Sequence, residues 1–269
     1  MAQDWIVTIW GVRGAMPAAA PEFMEFGGST SCVSADCGED LVIFDAGTGL
    51  TALSRRVDLK RPIHIFLGHV HIDHLLGLYM FPALHDPEAE IHLYGEARDG
   101  VSFRRQLETI FGAPYWPVGF GGFRASITIH EIGPDQAIPL PAGRTVRAIR
   151  GNHPNLGLIY RLEDGRRSMI YTLDCELTEH LRPRLTEFCR GTGLLVWDAN
   201  YTGADLAKHP GWGHSSWEQG AELAREAGVG LVLMTHFDQS YTDSFLREQE
   251  RLAQGPGVKF AREGMEIRL

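Results

Sequence analysis

The densest chemistry in the chain is the heptapeptide Gly68-His69-Val70-His71-Ile72-Asp73-His74. It follows a β-type run at 63–67 and leads into an apolar stretch that reads as a helix over 74–81. Three imidazoles and a carboxylate in so short a frame are a donor set for Zn2+ or one of its first-row neighbours. In an extended loop alternate side chains face the same way, so His69, His71 and Asp73 can converge, with His74 entering from the start of the next helix. The competing reading is a polar loop with unrelated surface histidines. A chain of 269 residues buries a large core without metal staples, so a metal held here is expected to be catalytic rather than structural.

The elements that must position this loop alternate along the chain. Strand-like runs rich in Val, Ile, Leu and aromatics fall at 5–10, 41–45, 63–67, 91–94, 145–149, 158–162, 169–173, 194–197, 230–234 and 265–268. Helical stretches fall at 49–55, 74–81, 97–110, 178–188, 215–227 and 242–253, with Ser215 or Ser216 placed to cap the fifth and Glu218 near its first turn. This pattern predicts an α/β fold with helices covering sheets from the outside. Asn152-His153-Pro154, Leu173-Asp174-Cys175 and Thr235-His236-Phe237 also lie just past strand-like runs, where catalytic groups collect. Taken singly, His153 and His236 read as structural histidines. Segment 111–126, with Pro114, Tyr115, Trp116, Pro117, Phe120 and Phe123, reads as a packed irregular loop, either on the surface or as a wall over the site.

The H-x-H-x-D-H loop after a strand resembles the signature of the metallo-β-lactamase superfamily. Phe44-Asp45-Ala46-Gly47-Thr48-Gly49 resembles that superfamily's first Asp motif, and the His153, Asp174 and His236 tripeptides resemble its third, fourth and fifth. All five come in the family's order across roughly residues 40–240. The resemblance implies one domain over 1–269, a four-layer αββα sandwich with two metal ions at one edge. By it, His69, His71 and His153 hold the first metal, Asp73, His74 and His236 the second, and Asp174 bridges them. Asp45 supports the metal loop by hydrogen bonds. The ions are divalent, Zn2+ foremost, with Mn2+, Fe2+ and Co2+ also accepted by such ligands.

Within the superfamily, a bridging Asp174 in place of Cys or Ser resembles the phosphodiesterase-like branches. Gly213-His214-Ser215-Ser216 resembles their G-H-S-T segment, which implies that His214 gives a proton to the leaving alkoxide; otherwise it is a helix-start histidine. Gly11-Val12-Arg13-Gly14 and Phe26-Gly27-Gly28-Ser29-Thr30-Ser31-Cys32 resemble the same subgroup, with Ser29 standing where Asn is usual and Gly68 where Ser is usual. Arg13 reaches either a substrate phosphate or a loop carboxylate. The tRNA 3′-processing relatives carry a protruding arm between the third and fourth motifs, where residues 154–173 leave space for two strands and turns. Their H-E-A-T segment stands here as Trp197-Asp198-Ala199-Asn200. Two divalent cations with Asp73, Asp174 and one bridging hydroxide leave a net charge of about +1, suited to an anionic phosphodiester. The implied reaction is attack by that hydroxide, oriented by Asp73, on a small phosphodiester such as a cyclic nucleotide. The alternatives are a nuclease, a thioester or lactone hydrolase, and a metal-stabilised scaffold.

Composition narrows the partners. Lys and Arg number 25 against 34 Asp and Glu, a net charge of −9, which disfavours polyanionic nucleic acid and anionic membranes. Cys32, Cys37, Cys175 and Cys189 form no C-x-x-C pair and read as reduced thiols of a cytoplasmic protein. Residues 1–14 lack the basic and apolar regions of a signal peptide, and no apolar run approaches the ~20 residues of a membrane span. Association into a homo-oligomer stays open.

Overall fold

In β3 (Leu41–Phe44) and β4 (Ile63–Phe66), apolar residues occupy both faces, so each strand must be covered twice. Leu41, Ile43, Ile63 and Ile65 pack into one buried cluster, whereas Val42, Phe44 and Phe66 pack into another. This parity builds the layers in the computed structural model, which describes residues 4–172, 174–253, 255 and 257–269. One seven-stranded sheet runs β14 (Glu266–Arg268), β1 (Ile6–Gly11), β2 (Cys32–Asp36), β3, β4, β5 (Glu90–Gly95), β6 (Ser126–Glu131). The other runs β13 (Val258–Phe260), β12 (Leu231–Thr235), β11 (Leu194–Asp198), β10 (Ser168–Tyr171), β9 (Gly157–Glu163), β8 (Thr145–Gly151), β7 (Ala137–Pro139). The larger cluster joins the facing sheets and continues under α3 (Arg182–Cys189), α5 (Trp217–Ala227) and α6 (Asp243–Leu252). The smaller lies between the first sheet and α1 (Leu50–Leu53) and α2 (Phe103–Ile110). The expected αββα sandwich is the fold observed. Strands β3 to β6 are mutually parallel, as are β10 to β13, and their carboxyl ends deliver the loops described below.

Several local expectations change. Segment 74–81 is not an α-helix but two short 3-10 turns, Ile72–His74 and Leu76–Met80. Its backbone is claimed by the loop after β3: Ala46 N donates to His74 O (2.8 Å) and Gly77 N to Ala46 O (2.9 Å). Tertiary hydrogen bonds thus replace the helical ladder. The helix expected over 97–110 starts at Phe103, capped by Ser102, because Arg98 and Val101 close a tight turn on each other first. The one over 49–55 is four residues long, and the one over 178–188 starts at Arg182. Strands β2, β6, β7 and β13 escaped the sequence reading. The last residue of the 169–173 run lies outside the described residues. In segment 111–126, Phe111 is buried and Trp116, Phe120 and Phe123 pack on the smaller cluster, with Tyr79 against Phe111 and Trp116 at 4.5 Å each. That is a packed surface loop, from which Tyr115 projects.

Ser216 caps α5: its hydroxyl accepts from Gln219 N while the Gln219 side chain accepts from Ser216 N. Glu218 turns away to accept from Gly203 N. Ser216→Ala is expected to cost about 1 kcal/mol and to lower Tm by ~2–4 °C in a thermal melt, as fits a chain of this size.

Candidate metal centre

The loop after β4 is fixed from below by Asp45, at the end of β3. Its Oδ1 accepts from Gly68 N (2.8 Å), and its Oδ2 accepts from Tyr171 Oη (2.7 Å) and from His74 Nδ1 (2.6 Å). Those bonds turn His74 Nε2 inward. The second sheet supplies the rest. The β8–β9 connection carries His153, whose Nδ1 donates to Gly213 O (2.9 Å) and leaves Nε2 facing the loop. Asp174 follows β10 and His236 follows β12. Asp45, Asp174 and His236 all take left-handed backbone conformations, with φ of 55°, 56° and 60°. Residues other than glycine adopt these at a cost, and Asp, Asn and His do so most readily.

The seven sequence-predicted ligand residues converge into two groups. In the first, Asp174 Oδ2 lies 3.4 Å from His69 Nε2 and 3.8 Å from His153 Nε2, and His71 Nδ1 lies 3.3 Å from His153 Nε2. In the second, Asp174 Oδ1 lies 3.0 Å from His236 Nε2 and 3.2 Å from His74 Nε2, while Asp73 Oδ2 lies 3.2 Å from His74 Nε2 and 3.6 Å from His236 Nε2. Within each group the candidate ligand atoms all lie within 4.8 Å of one another. The two oxygens of Asp174 therefore face different groups. His69 Nε2, His74 Nε2, His236 Nε2 and Asp174 Oδ1 are buried without a hydrogen-bond partner, an arrangement costly by ~1–3 kcal/mol per group unless something satisfies them. Imidazole nitrogens and carboxylate oxygens converging at such orphaned atoms fit two divalent first-row cations. His71, turned by Nδ1 toward the first group, has Nε2 at 3.3 Å from Asn155 Nδ2.

Burial, then the neighbouring His74, pushes His69 well down, and burial, then His153, pushes His71 to about 4, so both are neutral donors. Burial opposes ionisation of Asp73 and Asp174, but His74 and His236 outweigh it and hold both carboxyls far below their ordinary range. Burial likewise pulls His74 and His236 down, and Asp174 with its neighbours outweighs it and holds both imidazoles well above theirs. Without metal, protons on these two imidazoles balance the carboxylates.

Beside this centre, His214 Nδ1 lies 3.0 Å from Asp198 Oδ2, and the His214 ring is 5.3 Å from both His153 and His236. Asp198 is fully buried; it also accepts from Cys175 N and Asn200 N. Burial alone would lower His214, but Asp198 outweighs it and raises it. Asp198 was legible only as a departure from H-E-A-T, not as the partner of His214. Arg98 was missed altogether. It is buried, donates to Gly68 O (2.9 Å) and also bonds Asn155 O and Leu156 O, tying the metal loop to the His153 loop. No local pattern marks it. Arg13 does not face the centre. It is fully buried, donating to Gly27 O (2.7 Å) and Tyr241 O (2.6 Å) with Asp243 at 3.8 Å, which is the loop-carboxylate reading. Its neighbours do the work there: Ala15 N donates to Asp73 Oδ2 (3.0 Å), and a Cβ on Gly14 would come within 2.9 Å of the His236 ring.

A sandwich of two mixed sheets with a two-group His/Asp centre at the strand ends defines a metal-dependent hydrolase. The model of the beta-lactamase superfamily domain matches residues 40–237, and the chain belongs to the metallo-β-lactamase superfamily. It is similar to Ribonuclease Z of Methanopyrus kandleri, 26% identical over 100% of this chain and 99% of the relative. It is 25% identical to the probable metallo-hydrolase YhfI of Bacillus subtilis over 96% and 97%. The crystal structure of YhfI superposes with a TM-score of 0.76 at 21% identity, covering 99% of each chain. That of human tRNase Z, short form, gives 0.73 at 22% identity, covering 97% and 98%.

Two outcomes follow for metal binding. Asp45→Asn sets an amide N–H, or an oxygen without charge, against His74 Nδ1, and is expected to weaken metal affinity roughly 10–100-fold in a chelator-competition titration. Since His74 and His236 are protonated without metal, loading near neutral pH releases protons and tightens as pH rises. Calorimetry in buffers of different ionisation enthalpy detects that release; a buffer-independent heat would contradict it.

Proposed function

We propose that the protein is a phosphodiesterase acting on a small substrate such as a cyclic nucleotide, with two divalent cations, zinc foremost, held by His69, His71 and His153, by Asp73, His74 and His236, and by Asp174 between them. The observation that carries the reading is the Asp198–His214 pair beside the centre. When bound, the cations supply the Lewis acidity that ionises a water and offsets charge developing on the phosphoryl group. What the chain supplies is orientation and a proton. Asp198 keeps a proton on His214 Nδ1 and fixes the ring, so that Nε2 can present the second proton to a departing oxygen. An alkoxide of high pKa needs that proton, whereas a thiolate does not, which favours a phosphodiester over a thioester. Asp73 Oδ2 is held by Ala15 N, which aligns its carboxylate to orient the attacking water. The short β9–β10 hairpin and the net charge of −9 support a small substrate.

The second reading, a nuclease, draws on the full-length similarity to Ribonuclease Z. Salt separates the two: cleavage of a polynucleotide weakens steeply with added salt, and turnover of a small diester does so much less. The four buried free thiols fit a reducing compartment, and we assign the protein to the cytoplasm. No helix among the described residues is long and apolar enough to cross a membrane.

The direct test is metal content together with turnover of bis(p-nitrophenyl) phosphate, before and after chelation. About two metals per chain and chelator-sensitive cleavage restored by metal are expected; two metals with no cleavage of any phosphodiester would overturn the substrate class. For a substrate with an alkoxide leaving group, His214→Ala is expected to retain metal but lose roughly 10²–10⁴-fold in kcat. His71→Ala and Asp174→Ala are expected to lose metal and activity together.

A further inference from the structure

Trp212 lies two residues before His214 and is 60% exposed. The loop that carries it is held firmly. The Glu176 carboxylate accepts from Gly211 N and Gly213 N, at 3.2 Å each, and Gly213 O accepts from His153 Nδ1. Gly213 has φ of 85°, and a Cβ there would fall 2.2 Å from that same His153 nitrogen, so no other residue lets the loop sit so close to the centre. The Trp212 ring meets His209 edge-on at 4.7 Å. His209, fixed by a bond from Nδ1 to Asp205 O (2.8 Å), stacks on Tyr201 at 4.6 Å with 7° between planes. Tyr201 in turn meets His214 at 5.9 Å. A continuous aromatic run therefore leads from the proposed proton donor out to an exposed indole.

Three more large apolar side chains are exposed on loops bearing the centre: Ile72 inside the metal loop, Leu156 beyond His153, and Met16 beyond Gly14. Exposed apolar groups gathered at a polar centre mark a surface that a ligand covers. The position of the indole says which part of the ligand. A group that takes its proton from His214 departs on the side of His214, which is the side of Trp212. We infer that Trp212 is a stacking platform for a planar ring carried by the leaving group, so that the substrate is a phosphodiester whose departing alcohol belongs to a nucleoside rather than to a simple alkyl chain. This rests on the phosphodiester reading above and specifies its leaving group.

The test is calorimetric titration of the metal-loaded protein with adenosine 5′-monophosphate and with ribose 5-phosphate, in the wild type, Trp212→Ala and Trp212→Phe. The wild type is expected to bind the nucleotide on the order of ten-fold more tightly, as fits one base stacked on one aromatic ring. Trp212→Ala should bring the nucleotide to the level of ribose 5-phosphate, Trp212→Phe should retain most of the preference, and ribose 5-phosphate should bind all three alike. Equal binding of both ligands by the wild type, or a preference that survives Trp212→Ala, overturns the stacking role and leaves the phosphodiester reading standing. Failure of both ligands to bind also overturns the stacking role, while the phosphodiester reading is decided by the cleavage assay above.

Discussion

Asp45, Asp73, Asp174 and Asp198 are buried at one edge of the sandwich, and four carboxylates cannot be taken out of water together unless positive charge comes with them. The chain meets this constraint with imidazoles rather than with lysine or arginine. Three of these imidazoles use one nitrogen to satisfy a fixed acceptor, Asp45 for His74, Gly213 O for His153 and Asp198 for His214. The other nitrogen is left for the centre. Arginine could not divide its charge this way, since it has no deprotonated form in proteins. The histidines can trade a proton for a cation, which lets the same buried carboxylates serve both the metal-free and the metal-bound protein.

The need to bring those imidazoles together explains the division of labour between sheets. The first sheet gives His69, His71, Asp73 and His74, and the second gives His153, Asp174 and His236. Neither sheet carries a complete site. Arg98 and the Arg13–Gly14–Ala15 segment cross from one set of loops to the other, so the spacing of the donors depends on neutral carbonyls and amides as much as on charge. The layer parity of β3 and β4 sets the sheets face to face; these clamps set the register of their edges.

How much of this could be read from the residues follows from range. The heptapeptide 68–74, the strand runs and the order of the His and Asp tripeptides are local patterns; together they carried the family resemblance, and it was the resemblance that implied the αββα sandwich and the seven residues that converge. The 3-10 form of 72–80 was hidden because its cause, the backbone of Ala46, lies far away in sequence. Asp198 looked like a lost motif because its partner is sixteen positions on, in another loop. Strands such as Ala137–Pro139 are too short to show a period. Arg13 shows the converse: a basic residue in a Gly-Val-Arg-Gly loop sits where a phosphate contact is easily imagined, yet it is spent on the carbonyls of Gly27 and Tyr241.

The left-handed conformations at Asp45, Asp174 and His236 restrict which residues can ever occupy those places. A side chain that tolerates positive φ, as Asp, Asn and His do most readily, is required before its chemistry is considered. Asparagine fits the backbone but brings no charge; glutamate brings charge but not the backbone; glycine fits and offers no donor. The centre can therefore drift in metal identity, through its surrounding loops, far more easily than in the three residues on which those loops turn.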